Sequence, residues 1–173
     1  MRSDLFRKGA IVSIFSLLAG SSHAAMPTAG QAAPAFASVD QDGKAITLAA
    51  FKGHPVVLYF YPKDDTPGCT KEACSFRDGY AAIQATGAVI LGVSADDAKS
   101  HKAFAEKYHL PFQLVADADK KIIDAYGVRM PVLGMAKRTT FIIDKDGVIR
   151  KVFEGVSPAT HEPEVLAALK GLS

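Results

Sequence analysis

The order of segments in this chain predicts an α/β domain of three layers, in which a central mixed β-sheet is flanked by helices and preceded by an N-terminal β-hairpin. Three observations carry that prediction. Pro55–Tyr61 (PVVLYFY) and Ala88–Ser94 (AVILGVS) are apolar, β-branched runs without polar alternation, as expected of strands buried on both faces. Helical stretches follow the strand-like runs in alternation. Asp42-Gly43 and Asp146-Gly147 supply hairpin-turn chemistry towards the two ends of the domain.

Taken in order, Ala35–Val39 and Ala45–Leu48 form the first hairpin, and Pro55–Tyr61 is a central strand. A helix is expected from Pro67 to Ala85, with Thr66 at its N-cap and Pro67 at its first position, where a preset φ fits. Ala88–Ser94 is a second buried strand, and a helix over Asp97–His109 places Phe104 and Tyr108 on one face. Phe112–Ala116 is a short strand, and Lys120–Tyr126 a short helix closed by Gly127. Thr139–Asp144 and Val148–Glu154 pair as a hairpin, and a last helix over Glu162–Lys170 ends at Gly171.

A chain of 173 residues suffices for one domain with a proper core. Residues 1–24 have the pattern of a secretory signal peptide: basic Arg2, Arg7 and Lys8, an apolar Ala10–Gly20, and a small-x-small site at Ser22-His23-Ala24. The apolar run is too short to span a bilayer, so the expectation is export to the periplasm or an equivalent compartment, with no membrane span in the mature form. Ala25–Pro34, rich in Ala, Gly, Thr and Pro, reads as a flexible leader, and residues 35–173 as the folded domain. Removing residues 1–24 takes away three of the 20 basic and one of the 18 acidic residues, leaving 17 of each. A neutral mature domain without clustered Lys or Arg offers no electrostatic footprint for nucleic acid, which points towards small-molecule chemistry.

The chemistry concentrates in Tyr61–Asp78 (YPKDDTPGCTKEACSFRD), which holds the two cysteines, Cys69 and Cys74. Cys69 falls in the first turn of the predicted helix, where unpaired N–H groups and the positive end of the helix dipole favour a thiolate. On a regular helix five residues advance about 7.5 Å and turn about 500°, which sets the two Cα atoms about 8.6 Å apart on different faces. A disulfide tolerates at most about 7 Å. The pair therefore cannot bond while the helix between them is intact. A structural disulfide is the ordinary reading of two cysteines in an exported protein, but a loop this small gains only roughly 2 kcal/mol from closure, which favours a redox-active pair.

The segment PKDDTPGCTKEAC resembles the active-site motif of the peroxiredoxins, in particular the Q type, also called the bacterioferritin comigratory protein family. The resemblance extends from about Ala33 to the last helix and implies a thioredoxin-like fold. It further implies that Cys69 is the peroxidatic cysteine, that Cys74 is the resolving cysteine, and that Thr66 hydrogen-bonds thiolate and peroxide. Pro62 would shield the pocket, and Arg138, in KRTTFIID, would reach it from a distant strand. The implied activity is reduction of hydrogen peroxide or organic hydroperoxides by a monomer that needs no metal, haem or flavin and is re-reduced by thioredoxin or a thioredoxin-like dithiol protein. Each role has a plainer alternative: capping alone for Thr66, a surface ion pair for Arg138, strand termination for Pro62. Glu72 either orients Arg138 or is a solvated helix residue, and Arg77 and Asp78 read as surface charges.

Other sites fail on spacing. His161-Glu162 opens like a zinc-protease helix, but Val165 stands where the second histidine belongs. Aspartates before Gly43 and Gly147 hint at calcium loops, yet the twelfth positions are Phe51 and Gly155. The alternative function is an exported thiol–disulfide oxidoreductase acting on protein cysteines, which four residues between the cysteines and Lys137-Arg138 before the TTFIID strand disfavour.

Overall fold

The computed structural model describes residues 24–172. The proposed signal peptide thus lies outside the described residues except for Ala24. Seven strands form one mixed sheet in the order β2-β1-β5-β4-β3-β6-β7. They are β1 Ala37–Asp40, β2 Ala45–Thr47, β3 Val56–Phe60, β4 Val89–Ser94, β5 Gln113–Ala116, β6 Thr139–Ile143 and β7 Ile149–Glu154. The helices are α1 Pro67–Asp78, α2 Tyr80–Gln84, α3 Ala98–Tyr108, α4 Lys121–Ala125 and α5 His161–Lys170. β3 runs parallel to β4 and antiparallel to β6, so the sheet is mixed at its centre. The N-terminal hairpin joins the same sheet because β1 pairs antiparallel with β5.

Alternation along the strands builds two cores. In β3, Val57 and Tyr59 face a layer made by α1, α2, α3 and α5, with Phe76, Ile83, Phe104, Val165 and Leu169. Val56, Leu58 and Phe60 face the opposite side, where α4 contributes Ile122 and Ile123. All five β3 residues are buried, which is why this run reads as continuously apolar. Gly92, opposite Tyr59 in β4, makes room for that ring: a Cβ there would lie 2.7 Å from the Tyr59 hydroxyl and 2.8 Å from Leu114 Cδ2.

The structure departs from the sequence-based expectation in three places. The helix expected over Pro67–Ala85 breaks at Gly79, with φ −88° and ψ 2°, giving α1 and α2. A Cβ at Gly79 would overlap the Glu162 side chain, so the break admits the first turn of α5. A 3₁₀ turn over Leu48–Phe51 follows β2, where the Thr47 hydroxyl accepts from Ala50 N–H at 3.3 Å. The Ala25–Pro34 leader is also held rather than loose. Gly30 N–H donates to Ile149 O at 2.8 Å, Ala33 N–H to Gly147 O at 2.9 Å, and Ile149 N–H to Gln31 O at 2.9 Å, while Pro27 is buried. Small residues suit this role because their backbone pairs with the turn before β7, a role that composition does not reveal.

His161, fully buried at the start of α5, joins three elements. Its Nε2 lies 2.7 Å from Thr140 Oγ1 on β6, and its ring meets Phe76 of α1 and Phe153 of β7 edge-on. Burial first, and the Arg138 charge second, hold its pKa down to about 4, so it stays neutral near neutrality.

Gly92→Ala should destabilise the domain by about 1–3 kcal/mol, because neither Tyr59 nor Leu114 has space to retreat. Urea unfolding of the reduced protein measures this directly, as a lower midpoint at unchanged slope.

Candidate active site

β3 delivers the chain into the loop Tyr61–Thr66 and then into α1. Thr66 has the extended backbone of an N-cap, with φ −93° and ψ 151°, and Pro67 takes the first helical position as expected. The Thr66 side chain makes no capping bond, however; its hydroxyl donates to Lys63 O at 3.0 Å. Capping is therefore not what this hydroxyl does, and the first-turn N–H groups beside Cys69 are left without a side-chain acceptor.

Cys69 is 3% exposed and a free thiol, and Arg138 Nη2 stands 3.4 Å from its sulfur. Arg138 reaches it because Phe60, at the end of β3, pairs with Thr139, at the start of β6. The residue before β6 and the loop after β3 thus emerge at one edge of the sheet. Gly68 supports this approach, since a Cβ there would sit 3.3 Å from Arg138 Nη2. The surface-ion-pair alternative for Arg138 fails on this geometry.

Glu72, one turn beyond Cys69, is fully buried and accepts a hydrogen bond from Arg138 Nη1 through Oε2. That excludes the solvated alternative. Its Oε1 has no partner among the described residues, so the charged form is only half satisfied, and burial pushes its carboxyl up to about 7 against the pull of Arg138. Burial works against the Arg138 charge too, but Glu72 and the Cys69 sulfur outweigh it and hold the guanidinium above its ordinary value.

Cys74 is also free and lies half-buried on the same unbroken helix. It opens onto a groove lined by Lys71, Ser75, Pro158 and Glu162. Pro62 is half-buried in the loop before α1. Among the described residues, Thr66 and Pro62 have no hydrogen bond to Cys69. The structure therefore brings Cys69, Arg138 and Glu72 into direct contact, with Thr66 as the N-cap of the same helix, Cys74 further along it and Pro62 in the loop before it.

Sequence reasoning missed a buried network under the loop. Asp64 accepts from Tyr61 OH at 2.7 Å, Ser100 Oγ at 2.7 Å and His101 Nδ1 at 2.8 Å. Both His101 ring nitrogens face acceptors, the other being Val115 O at 3.1 Å from Nε2. These donors outweigh burial and hold the Asp64 carboxyl below its ordinary value. The available signal was His101 three residues before Phe104, on the inward face of α3.

The AhpC/TSA family model matches residues 29–152. The chain belongs to that family. Among curated proteins, a chloroplastic peroxiredoxin Q of Populus jackii is 48% identical over 145 residues, covering 83% of this chain and 68% of that protein. A putative peroxiredoxin bcp of Coxiella burnetii is 45% identical over 146 residues, covering 81% and 97%. The peroxidoxin BcpB structure from Mycobacterium tuberculosis superposes with a TM-score of 0.81 at 35% identity, covering 86% of this chain and 99% of that one. The protein is thus a Q-type peroxiredoxin with a thioredoxin-like fold, a thiol peroxidase of the antioxidant class.

A carboxyl raised by folding holds a proton that the unfolded chain has released. Its stabilisation is complete below the unfolded value near 4.5 and is lost as pH rises through about 7. Arg138→Ala removes the donor to Glu72, so the variant should go on losing stability above pH 7, by at most about 1.4 kcal/mol per pH unit. Adding Glu72→Gln should flatten that slope. Urea midpoints measured across this range test both.

Proposed function

We propose that Cys69 is the peroxidatic cysteine and Cys74 its resolving partner in the reduction of hydrogen peroxide and small organic hydroperoxides. The observation that carries this reading is the Arg138 guanidinium on a buried Cys69 sulfur at the uncapped start of α1. A thiolate there is stabilised by the guanidinium and by free N–H groups. It attacks one peroxide oxygen: an S–O bond forms, the O–O bond breaks, and the departing oxygen takes a proton to leave as water or alcohol. Arg138 is placed to donate to that oxygen as charge develops. The Thr66 hydroxyl keeps lone pairs free to accept from the incoming peroxide while its proton is engaged by Lys63 O.

The product on Cys69 is a sulfenic acid. The Cys74 sulfur then attacks it, an S–S bond forms, and hydroxide leaves and is protonated to water. A dithiol protein, thioredoxin or one like it, restores both thiols by exchange and becomes a disulfide itself. The signal-peptide pattern of residues 1–24 supports action outside the cytoplasm with a thioredoxin-like donor of that compartment, and the Q-type resemblance supports a monomer. No helix among the described residues is long and apolar enough to cross a membrane.

Mass spectrometry of the protein after one equivalent of peroxide tests the sequence of steps. The wild type should lose two hydrogens, with Cys69 and Cys74 joined. Cys74→Ser should gain one oxygen on Cys69 and lose turnover with the dithiol donor, and Cys69→Ser should show neither change nor peroxidase activity. Activity near wild type in Cys69→Ser would overturn the assignment. The mature mass also reports whether cleavage follows Ala24.

A further inference from the structure

We propose that helix α3 is a fixed frame that pins the active-site segment on both sides of the two cysteines, confining the unwinding that joins Cys69 to Cys74 to residues 67–76. The inference rests on the function proposed above and identifies the part of the molecule that must hold still.

Upstream of the cysteines there are two pins. The inner one is Asp64, 8% exposed, held by Ser100 Oγ at 2.7 Å and by the fully buried His101 at 2.8 Å, both on α3. Its backbone N–H also donates to Asp96 Oδ2 at 2.9 Å. The outer one is Asp65, whose φ of 55° turns the chain into α1. Asp65 takes a hydrogen bond from Tyr108 OH at 2.6 Å and an ion pair with Lys107 at 2.7 Å.

Downstream, Arg77 is not the plain surface charge that its sequence position implies. Its Nη1 donates at 2.9 Å to Tyr108 O, a carbonyl of the last turn of α3 that the helix itself leaves without a partner. Tyr108 therefore holds both ends, Asp65 by its hydroxyl and Arg77 by its carbonyl. Between these attachments lie both cysteines.

The pins differ in strength. Parting Asp64 from His101 strands a buried carboxylate, which makes the inner pin hard to break. The Arg77 side chain is 33% exposed, so water can replace its partner and the downstream pin is the softer one. Opening should therefore start from the Arg77 side while the loop before Cys69 keeps its place. None of these residues touches the Cys69 sulfur; they act as positioning residues.

Hydrogen exchange read by mass spectrometry tests the frame on the full chain. The Cys69–Cys74 bond is made with diamide, which takes up the two thiol hydrogens, so the outcome does not depend on peroxidase activity. Residues 67–76 should lose amide protection, while 61–65 and 98–108 keep theirs; loss extending into 61–65 or α3, or none in 67–76, overturns the proposal. In a second arm, Arg77→Ala should be oxidised by peroxide at the wild-type rate yet form the disulfide about fivefold faster, with less sulfinic acid at excess peroxide. Arg77→Lys, which retains a donor for Tyr108 O, should restore the wild-type ratio. Unchanged disulfide formation in Arg77→Ala overturns the proposal. If diamide gives the expected exchange pattern but peroxide leaves Cys69 unoxidised, the frame stands and the peroxidase reading falls.

Discussion

Antiparallel pairing of β3 with β6 is the constraint on which the site depends. With Phe60 opposite Thr139, the loop that leads to Cys69 and the residue that carries the guanidinium leave the sheet side by side. Side-chain alternation then fixes the face. Ile142 joins the core beneath α1, and Thr140 meets His161 on that side, so Arg138, two residues earlier, projects towards the same layer. A one-residue slip in register would send it to the α4 side, away from the Cys69 sulfur. The long apolar strands that look like mere core are thus what sets a contact of 3.4 Å between residues 69 positions apart.

Around that contact the charges are unevenly provided for. Arg138 has two anionic or polarizable partners, whereas Glu72 has one donor and an unpartnered oxygen. His161 nearby stays neutral, because burial and the arginine together oppose a second positive charge. The site therefore keeps one firm cation, held between a carboxylate that protonates easily and a sulfur. Such an arrangement leaves the guanidinium fixed in place while the charge facing it changes during turnover.

The sequence carried most of the fold because its strongest signals are local. Apolar runs marked β3 and β4, Asp-Gly turns marked both hairpins, and Thr66-Pro67 marked the start of α1. Cys69 was legible because a motif spelled it out, with Cys74 in the same motif, and Arg138 entered through family resemblance rather than through any local pattern. What escaped were contacts between distant segments. Gly79 breaks a helix because Glu162 arrives there, and the small residues before Pro34 are ordered because β7 offers them backbone partners. Asp64 and His101 are 37 residues apart, and no periodicity announces that one will hold the other. Glu72 shows the same limit, since only the position of Arg138 distinguishes a buried acceptor from a solvated carboxylate.

The intact helix and the disulfide make incompatible demands on α1, and the magnitudes say how far the helix must yield. Regular geometry leaves the two Cα atoms about 2 Å too far apart for a bond, a gap that rearranging one turn can close. Each residue released from the helix regains backbone freedom of about 1–2 kcal/mol, which offsets much of the lost hydrogen bonding. Extracting Phe76 is a different matter. It is fully buried against Tyr59 at 4.9 Å between ring centroids and against His161 at 5.5 Å, and exposing such a ring costs about 1.5–3 kcal/mol. The cheapest path keeps the Phe76 ring seated and confines backbone unwinding to the segment that ends with it, residues 67–76. That segment contains Glu72, so the movement proposed to bring Cys74 to Cys69 would also draw the carboxylate away from Arg138. On the proposed reading, bond formation and the parting of Glu72 from Arg138 are then one event, with the guanidinium still beside the Cys69 sulfur.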